Sequence, residues 1–213
     1  MHSLRLPLCA LALAASLSAA SATREPIVGT PCQDCEAVFE GLPDTIESFA
    51  RIAPATEPGE RLSITGIVRD SSGAPVADII VYAYHTDDRG IYPRPEKSFG
   101  SASARHGRLR AWTKSDDNGR FTFETIRPAG YPDTTNPAHV HLHVIEPGRC
   151  TYYIDNIHFT DDPRLTAAER RRQPNRGGSG LVQPTRNADG TWHATRDIIL
   201  GKNIPGYPPR TSG

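Results

Sequence analysis

Asp116-Asp117-Asn118-Gly119-Arg120-Phe121-Thr122-Phe123-Glu124-Thr125-Ile126 carries the clearest structural signal in the chain. The run Asp-Asn-Gly is the chemistry of a tight hairpin turn, because Asn and Gly tolerate the positive φ such turns need. Phe121 and Phe123 then alternate with Thr122 and Glu124, the period of a half-buried strand. Working outward, Leu109 to Thr113 reads as the strand before the turn. Similar β-branched or alternating runs occur at Leu62–Val68, Ile79–His85, Ala138–Ile145, Thr151–Phe159 and Thr191–Leu200. Turn residues separate them at Ser71-Ser72-Gly73, Asp87-Asp88-Arg89-Gly90, Glu146-Pro147-Gly148 and Asn187 to Gly190. About eight short strands at regular spacing predict an all-β fold, a β-sandwich with a short N-terminal arm and long loops. Residues 93–109 read as one long loop. Residues 163–180, rich in Arg and Gly, read as a solvated loop in which Thr166 opens a short helix ending at Arg170-Arg171-Arg172.

Composition agrees with many turns: 18 Gly and 19 Pro in 213 residues. The 24 basic and 24 acidic side chains balance, which leaves no electrostatic footprint for nucleic acid or an anionic membrane. Residues 1–22 read as a signal peptide, with a short positive start, an apolar run from Leu6 to Leu17 and small residues before Thr23. The expected location is therefore secreted or periplasmic, with no membrane association after cleavage. Residues 23–60 form the expected arm and linker, with short helices over Cys35–Leu42 and Asp44–Ile52 on either side of Pro43. The sandwich spans 61–201 and a tail 202–213. Once Cys9 leaves with the signal, an oxidising compartment favours one disulfide among Cys32, Cys35 and Cys150. One of the Cys32/Cys35 pair bonds either to Cys150 or to its neighbour.

The chemistry concentrates in Pro137-Ala138-His139-Val140-His141. Residues two apart on a strand share a face, roughly 6.6 Å apart, a bite suited to one metal ion. Two tyrosines stand at similar turns, in Gly90-Ile91-Tyr92-Pro93 and Gly130-Tyr131-Pro132. A phenol titrates near pH ~10 and binds as phenolate only to an ion that strongly favours the anion. Zinc prefers Cys, His and carboxylate ligands, and the ferrous oxygenase triad needs two histidines and one carboxylate. Two phenolates and a hydroxide neutralise a trivalent ion, so Tyr92, Tyr131, His139 and His141 suit Fe(3+). His143 continues the alternation but lies roughly 13 Å from His139 along a straight strand, and reads as structural. The competing readings are a zinc or copper site on His139, His141 and His143, and a non-catalytic metal-binding or carbohydrate-adhesion sandwich.

Several motifs in order resemble the intradiol ring-cleavage dioxygenases. They are Gly66-Ile67-Val68-Arg69-Asp70 with Gly73-Ala74-Pro75-Val76, then Gly90-Ile91-Tyr92, Gly119-Arg120-Phe121-Thr122-Phe123, Gly130-Tyr131-Pro132, Pro137-Ala138-His139-Val140-His141 and Asp189-Gly190-Thr191-Trp192. The resemblance implies a non-haem ferric iron held by Tyr92 and His139 in equatorial positions and by Tyr131 and His141 in axial ones. It implies a small-molecule diphenol and dioxygen as partners, ring cleavage between the two hydroxylated carbons, and catalytic roles for Tyr92 and Tyr131, with Tyr131 released when substrate arrives. Two positions depart from the family pattern. Asn136 stands where an arginine commonly steadies charge on the substrate, and Asn156 where a glutamine usually assists. Arg108, Arg110 and Arg127 are the candidates to supply that cation instead.

Overall fold

In a computed structural model, the described residues are 24–29, 31–32, 34–95 and 101–209. The expected signal peptide lies outside them, as do residues 96–100 of the long loop. Eleven strands among the described residues form two mixed sheets. The first contains β1 (Phe49–Arg51), β2 (Arg61–Arg69), β5 (Arg120–Ile126), β9 (Thr185–Arg186), β10 (Trp192–Thr195) and β11 (Ile198–Ile199). Its order is β1-β5-β2-β10-β9, with β11 also on β2. The second contains β3 (Ile80–Tyr84), β4 (Arg110–Lys114), β6 (His139–Glu146), β7 (Cys150–Phe159) and β8 (Leu181–Val182), in the order β4-β3-β6-β7-β8. The all-β sandwich is thus the observed architecture.

Period-two patterning fills the space between the sheets. Leu62, Ile64 and Val68 of β2 and Phe121 and Phe123 of β5 meet Val81, Val140, Leu142 and Ile154 from the other sheet in one buried cluster. Burying each such side chain contributes roughly 1.5–3 kcal/mol. Gly66 takes an inward position of β2 because a Cβ there would stand 2.6 Å from the Phe121 ring and 2.1 Å from the Arg196 carbonyl.

The turn at Asp116–Gly119 forms as expected: Gly119 N–H donates to the Asp116 carbonyl, and the Asp116 carboxylate accepts from the Asn118 and Arg120 amides. It is not a hairpin, however. β4 pairs with β3 and β5 with β2, so the turn carries the chain from one sheet to the other. A hairpin would set Ala111 and Thr113 on the same face of one sheet as Phe121 and Phe123; the corner sets them opposite, where both sets bury.

Three further expectations change. Asp44–Ile52 is not helical. Its residues 49–51 form β1, parallel to β5, and flanking bonds run from Thr122 N–H to the Ser48 carbonyl and from Lys114 N–H to the Glu47 carbonyl. An open sheet edge outweighs weak helix propensity. Cys35–Leu42 yields a single 3-10 turn, Cys35–Val38. The expected strand Thr191–Leu200 divides into β10 and β11 around Arg196, whose side chain turns inward and is 1% exposed. Its guanidinium donates to the carbonyls of Asp155, Arg176, Gly177 and Gly178.

Two short helices complete the chain. α1 (Ser101–His106) lies inside the expected loop. α2 (Ala167–Arg171) starts at Thr166 in a capping box with Glu169, where the sequence places it. The disulfide joins Cys32 to Cys35, and Cys150 is a buried thiol. The 3-10 turn and α1 cover the outer face of the second sheet. Trp112 Nε1 donates to the Val38 carbonyl at 2.8 Å, Arg110 to those of Ala37 and Glu40, and Ser103 N–H to the Glu40 carboxylate. Outward-pointing Tyr82, Tyr84 and Ile145 are therefore buried with Val38 in a second cluster. The candidate site lies on this covered outer face.

Candidate metal centre

Two glycine turns bring the tyrosines together. The Asp87 carboxylate accepts from the Arg89 and Ile91 amides and shapes the first turn. Gly90, at φ 82°, presses on the second: a Cβ there would stand 2.2 Å from the Gly130 carbonyl. The Thr86 hydroxyl donates to the Ala129 carbonyl and fastens the two loops. This close approach sets Tyr92 Oη 2.8 Å from Tyr131 Oη.

The histidines come from β6. His139 and His141 share the outer face with Tyr84 of β3, which is the cross-strand neighbour of His141. Between Val140 and Leu142 the register with β7 slips, a bulge that places an extra β7 residue opposite His141. Asn156 occupies this irregular segment and meets His141.

All four donor atoms converge. Tyr92 Oη lies 2.9 Å from His141 Nε2, Tyr131 Oη 3.4 Å from His139 Nε2, and the two Nε2 atoms are 3.0 Å apart. The far side of each ring decides the tautomer. His139 Nδ1 donates to the Pro137 carbonyl at 2.8 Å, and His141 Nδ1 to Asn156 Oδ1 at 3.1 Å. Each Nε2 is thus left with a lone pair and no proton, and the two lone pairs face one another. Such an arrangement is repulsive unless a cation lies between them, and orientation of a ligating histidine through its other nitrogen is the usual device of metal sites. The donor chemistry therefore fits a metal ion.

Electrostatics point the same way. Burial holds His139 below its ordinary value, and burial with the neighbouring His139 holds His141 well below it, so both rings stay neutral. Burial, then the Tyr131 hydroxyl, pushes the Tyr92 phenol up. Tyr92 therefore ionises only if a cation compensates. Behind His141, Tyr84 stacks at 4.4 Å and His106 stacks on Tyr84 at 3.6 Å. This three-ring stack fixes the plane of the imidazole. Tyr84 and His106 escaped the sequence reading; Tyr84 is legible only once β3 is known to neighbour β6.

His143 faces the same side but stands outside the quartet, with Nδ1 4.0 Å from Cys35 Sγ. The three candidate arginines are engaged elsewhere. Arg108 pairs with the buried Glu57 at 2.6 Å, Arg110 holds the 3-10 turn, and Arg127 pairs with Asp161 and lies over the Trp192 ring. A cavity of about 320 Å³ opens against Tyr131, His139 and His141; Asn136, His158, Glu169 and Gln173 complete most of its wall. No lysine or arginine lines it among the described residues.

Comparison with known proteins places the fold in a family. A family model described as Dioxygenase matches residues 44–173. The chain belongs to the intradiol dioxygenase family. It is 28% identical over 128 residues to chlorocatechol 1,2-dioxygenase of Rhodococcus opacus, covering 52% of this chain and 48% of that enzyme. It is also 28% identical over 192 residues to hydroxyquinol 1,2-dioxygenase of Nocardioides simplex, covering 76% and 60%. Among solved structures, the dioxygenase domain of a carbohydrate-binding fusion from Streptomyces sp. SirexAA-E superposes with a TM-score of 0.54 at 24% identity, covering 76% of this chain and 94% of that one. The chain spans about half the length of the first curated relatives it matches. This dioxygenase-family chain therefore carries its four converging donors beside a cavity that Asn136 helps to line.

Proposed function

We propose that this protein is an exported ferric dioxygenase that opens the ring of a catechol-type diphenol between its two hydroxylated carbons. The observation that carries the reading is the convergence of Tyr92 Oη, Tyr131 Oη, His139 Nε2 and His141 Nε2 within 3.4 Å of a neighbour. These four side chains would hold Fe(3+), which supplies Lewis acidity and a template for binding the diphenol beside dioxygen. Tyr92, His139 and His141 are the anchors, locked by burial and by the Pro137 and Asn156 acceptors. Tyr131 borders the cavity and would be the side chain free to swing off the ion, its phenolate oxygen then placed to accept a proton from a phenol of the incoming substrate. Asn136 and Asn156 offer neutral amides to the bound ring where the family pattern has a cation and a glutamine. Removing a preorganised charge from a water-poor site costs rate, so slow turnover of plain catechol is expected. The cavity volume falls within the roughly 300–1,000 Å³ range of small-molecule sites. The Cys32–Cys35 disulfide suits an oxidising compartment, in keeping with export.

Purified protein should be reddish from phenolate-to-iron charge transfer, its colour should shift with catechol under nitrogen, and admission of air should consume oxygen and give a ring-opened diacid. Colourless protein that retains zinc would overturn the iron assignment. The cation-free cavity favours one second reading, a non-catalytic metal-binding sandwich. Colour that shifts with catechol but brings no oxygen uptake would select it.

A further inference from the structure

We infer that Cys32, Cys35 and His143 form a second metal site, for a thiophilic ion such as Zn²⁺, that opens when the Cys32–Cys35 disulfide is reduced. The two sulfurs and a ring nitrogen of His143 all lie within 4.8 Å of one another. His143 Nδ1 is already 4.0 Å from Cys35 Sγ. Zn–S bonds of about 2.3 Å and Zn–N bonds of about 2.0–2.1 Å at a tetrahedral angle put sulfur and nitrogen ligands roughly 3.6 Å apart and two sulfurs roughly 3.8 Å apart, so Cys35 and His143 need to close by only a few tenths of an ångström, while the two sulfurs, freed by reduction, move apart by rotation of their side chains. His143 is 3% exposed, and β6 holds it in place.

The scaffold keeps the sulfurs near His143 once their bond is gone. Asp34, between the two cysteines, pairs with Arg105 of α1. Val38, just after Cys35, is held by Trp112, and Glu40 by Ser103 and Arg110. A cavity of about 260 Å³ borders Cys32 and His143, which gives a fourth ligand, a water, room to enter. Two cysteines and a histidine with an open position are an established zinc set, and thiolates select zinc over hard ions. The phenolic quartet has no sulfur, so the two sites prefer different metals although they share β6.

The chemistry balances with a named reductant. A phosphine and one water convert the disulfide into two thiols and a phosphine oxide; a dithiol does the same by exchange and becomes a disulfide. Metal binding then releases the two thiol protons, because only thiolates ligate. While the disulfide is intact neither sulfur is a thiolate, and the site is closed.

Full-length protein, as purified and after phosphine treatment, should be titrated with Co²⁺ and then displaced with Zn²⁺. Thiol titration in denaturant verifies that the bridge is open. Reduced protein should show a thiolate-to-cobalt band saturating at one equivalent; unreduced protein and Cys35→Ser should show none. His143→Gln should bind at least ~10-fold more weakly while retaining its iron-phenolate colour, which reports on the fold and on the other site independently. Zinc-edge absorption of the reduced parent should give two sulfur scatterers and one imidazole, a readout that stands even if His143→Gln misfolds. An open bridge without a thiolate band, cobalt affinity unchanged in a folded His143→Gln, or an edge spectrum lacking the imidazole would each overturn the site.

Discussion

Asn156→Ala tests how the metal centre is organised. Asn156 Oδ1 accepts the Nδ1 proton of His141 at 3.1 Å, and that single bond keeps the His141 Nε2 lone pair aimed at the quartet. Without the acceptor, the ring gains by moving its proton to Nε2, where Tyr92 Oη at 2.9 Å can receive it. That tautomer cannot bind a metal through Nε2. The cost of a lost buried acceptor is roughly 1–3 kcal/mol, or about 5- to 150-fold in iron affinity, which brackets the about 10–100-fold typical of groups that orient metal-ligating histidines. Iron affinity would be measured by competition against a chelator, following the phenolate band. Asn156→Asp provides the opposite sign: a carboxylate accepts the same proton more strongly and should restore or raise affinity. An Asn156→Ala variant that folds to the same melting temperature and holds iron within twofold of the parent would refute this role for Asn156.

Tyr92→Phe should lose most of the visible colour with the fold retained by circular dichroism; an unchanged spectrum would remove Tyr92 from the metal's ligands. Arg196→Met should destabilise by about 3–5 kcal/mol in urea unfolding, because five carbonyls, that of Asp197 included, lose their donor; a loss under ~1 kcal/mol would show that those carbonyls find other partners. Stability should also fall with acid. Burial holds His85 at about 4 and His143 at about 3 in the fold, below the ~6.5 of the unfolded chain. The unfolded state therefore binds more protons below pH ~6.5, and each ring removes up to ~1.4 kcal/mol per pH unit as pH drops toward its folded value. Urea midpoints at pH 7 and 5 check this, and equal midpoints would refute it.

Strand after strand was legible because period-two alternation reports directly which residues face a core. Phe121 and Phe123, Leu62 and Ile64, and Val140 and Leu142 all alternate in sequence and all bury between the sheets. Local chemistry was equally readable where it is self-contained, as in the Thr166–Glu169 capping box. The errors arose where a distant partner won. Residues 49–51 became a strand because β5 offered an edge, and Asp116–Gly119 became a corner because β4 and β5 found different neighbours. Arg196, read as part of a strand, found a ring of carbonyls from the loop at residues 176–178 and from Asp155 of β7.

By itself, the chain's order of residues determined an all-β sandwich and nominated two phenols and two imidazoles, since side-chain parity and turn chemistry act over a few neighbouring residues. Only the tertiary structure decided that Gly90 would press on Gly130, that Asn156 would take the His141 proton across a bulge, and that no arginine would line the cavity among the described residues. Those outcomes depend on contacts between segments far apart in sequence, whose relative placement is set by packing of the whole domain rather than by any local preference.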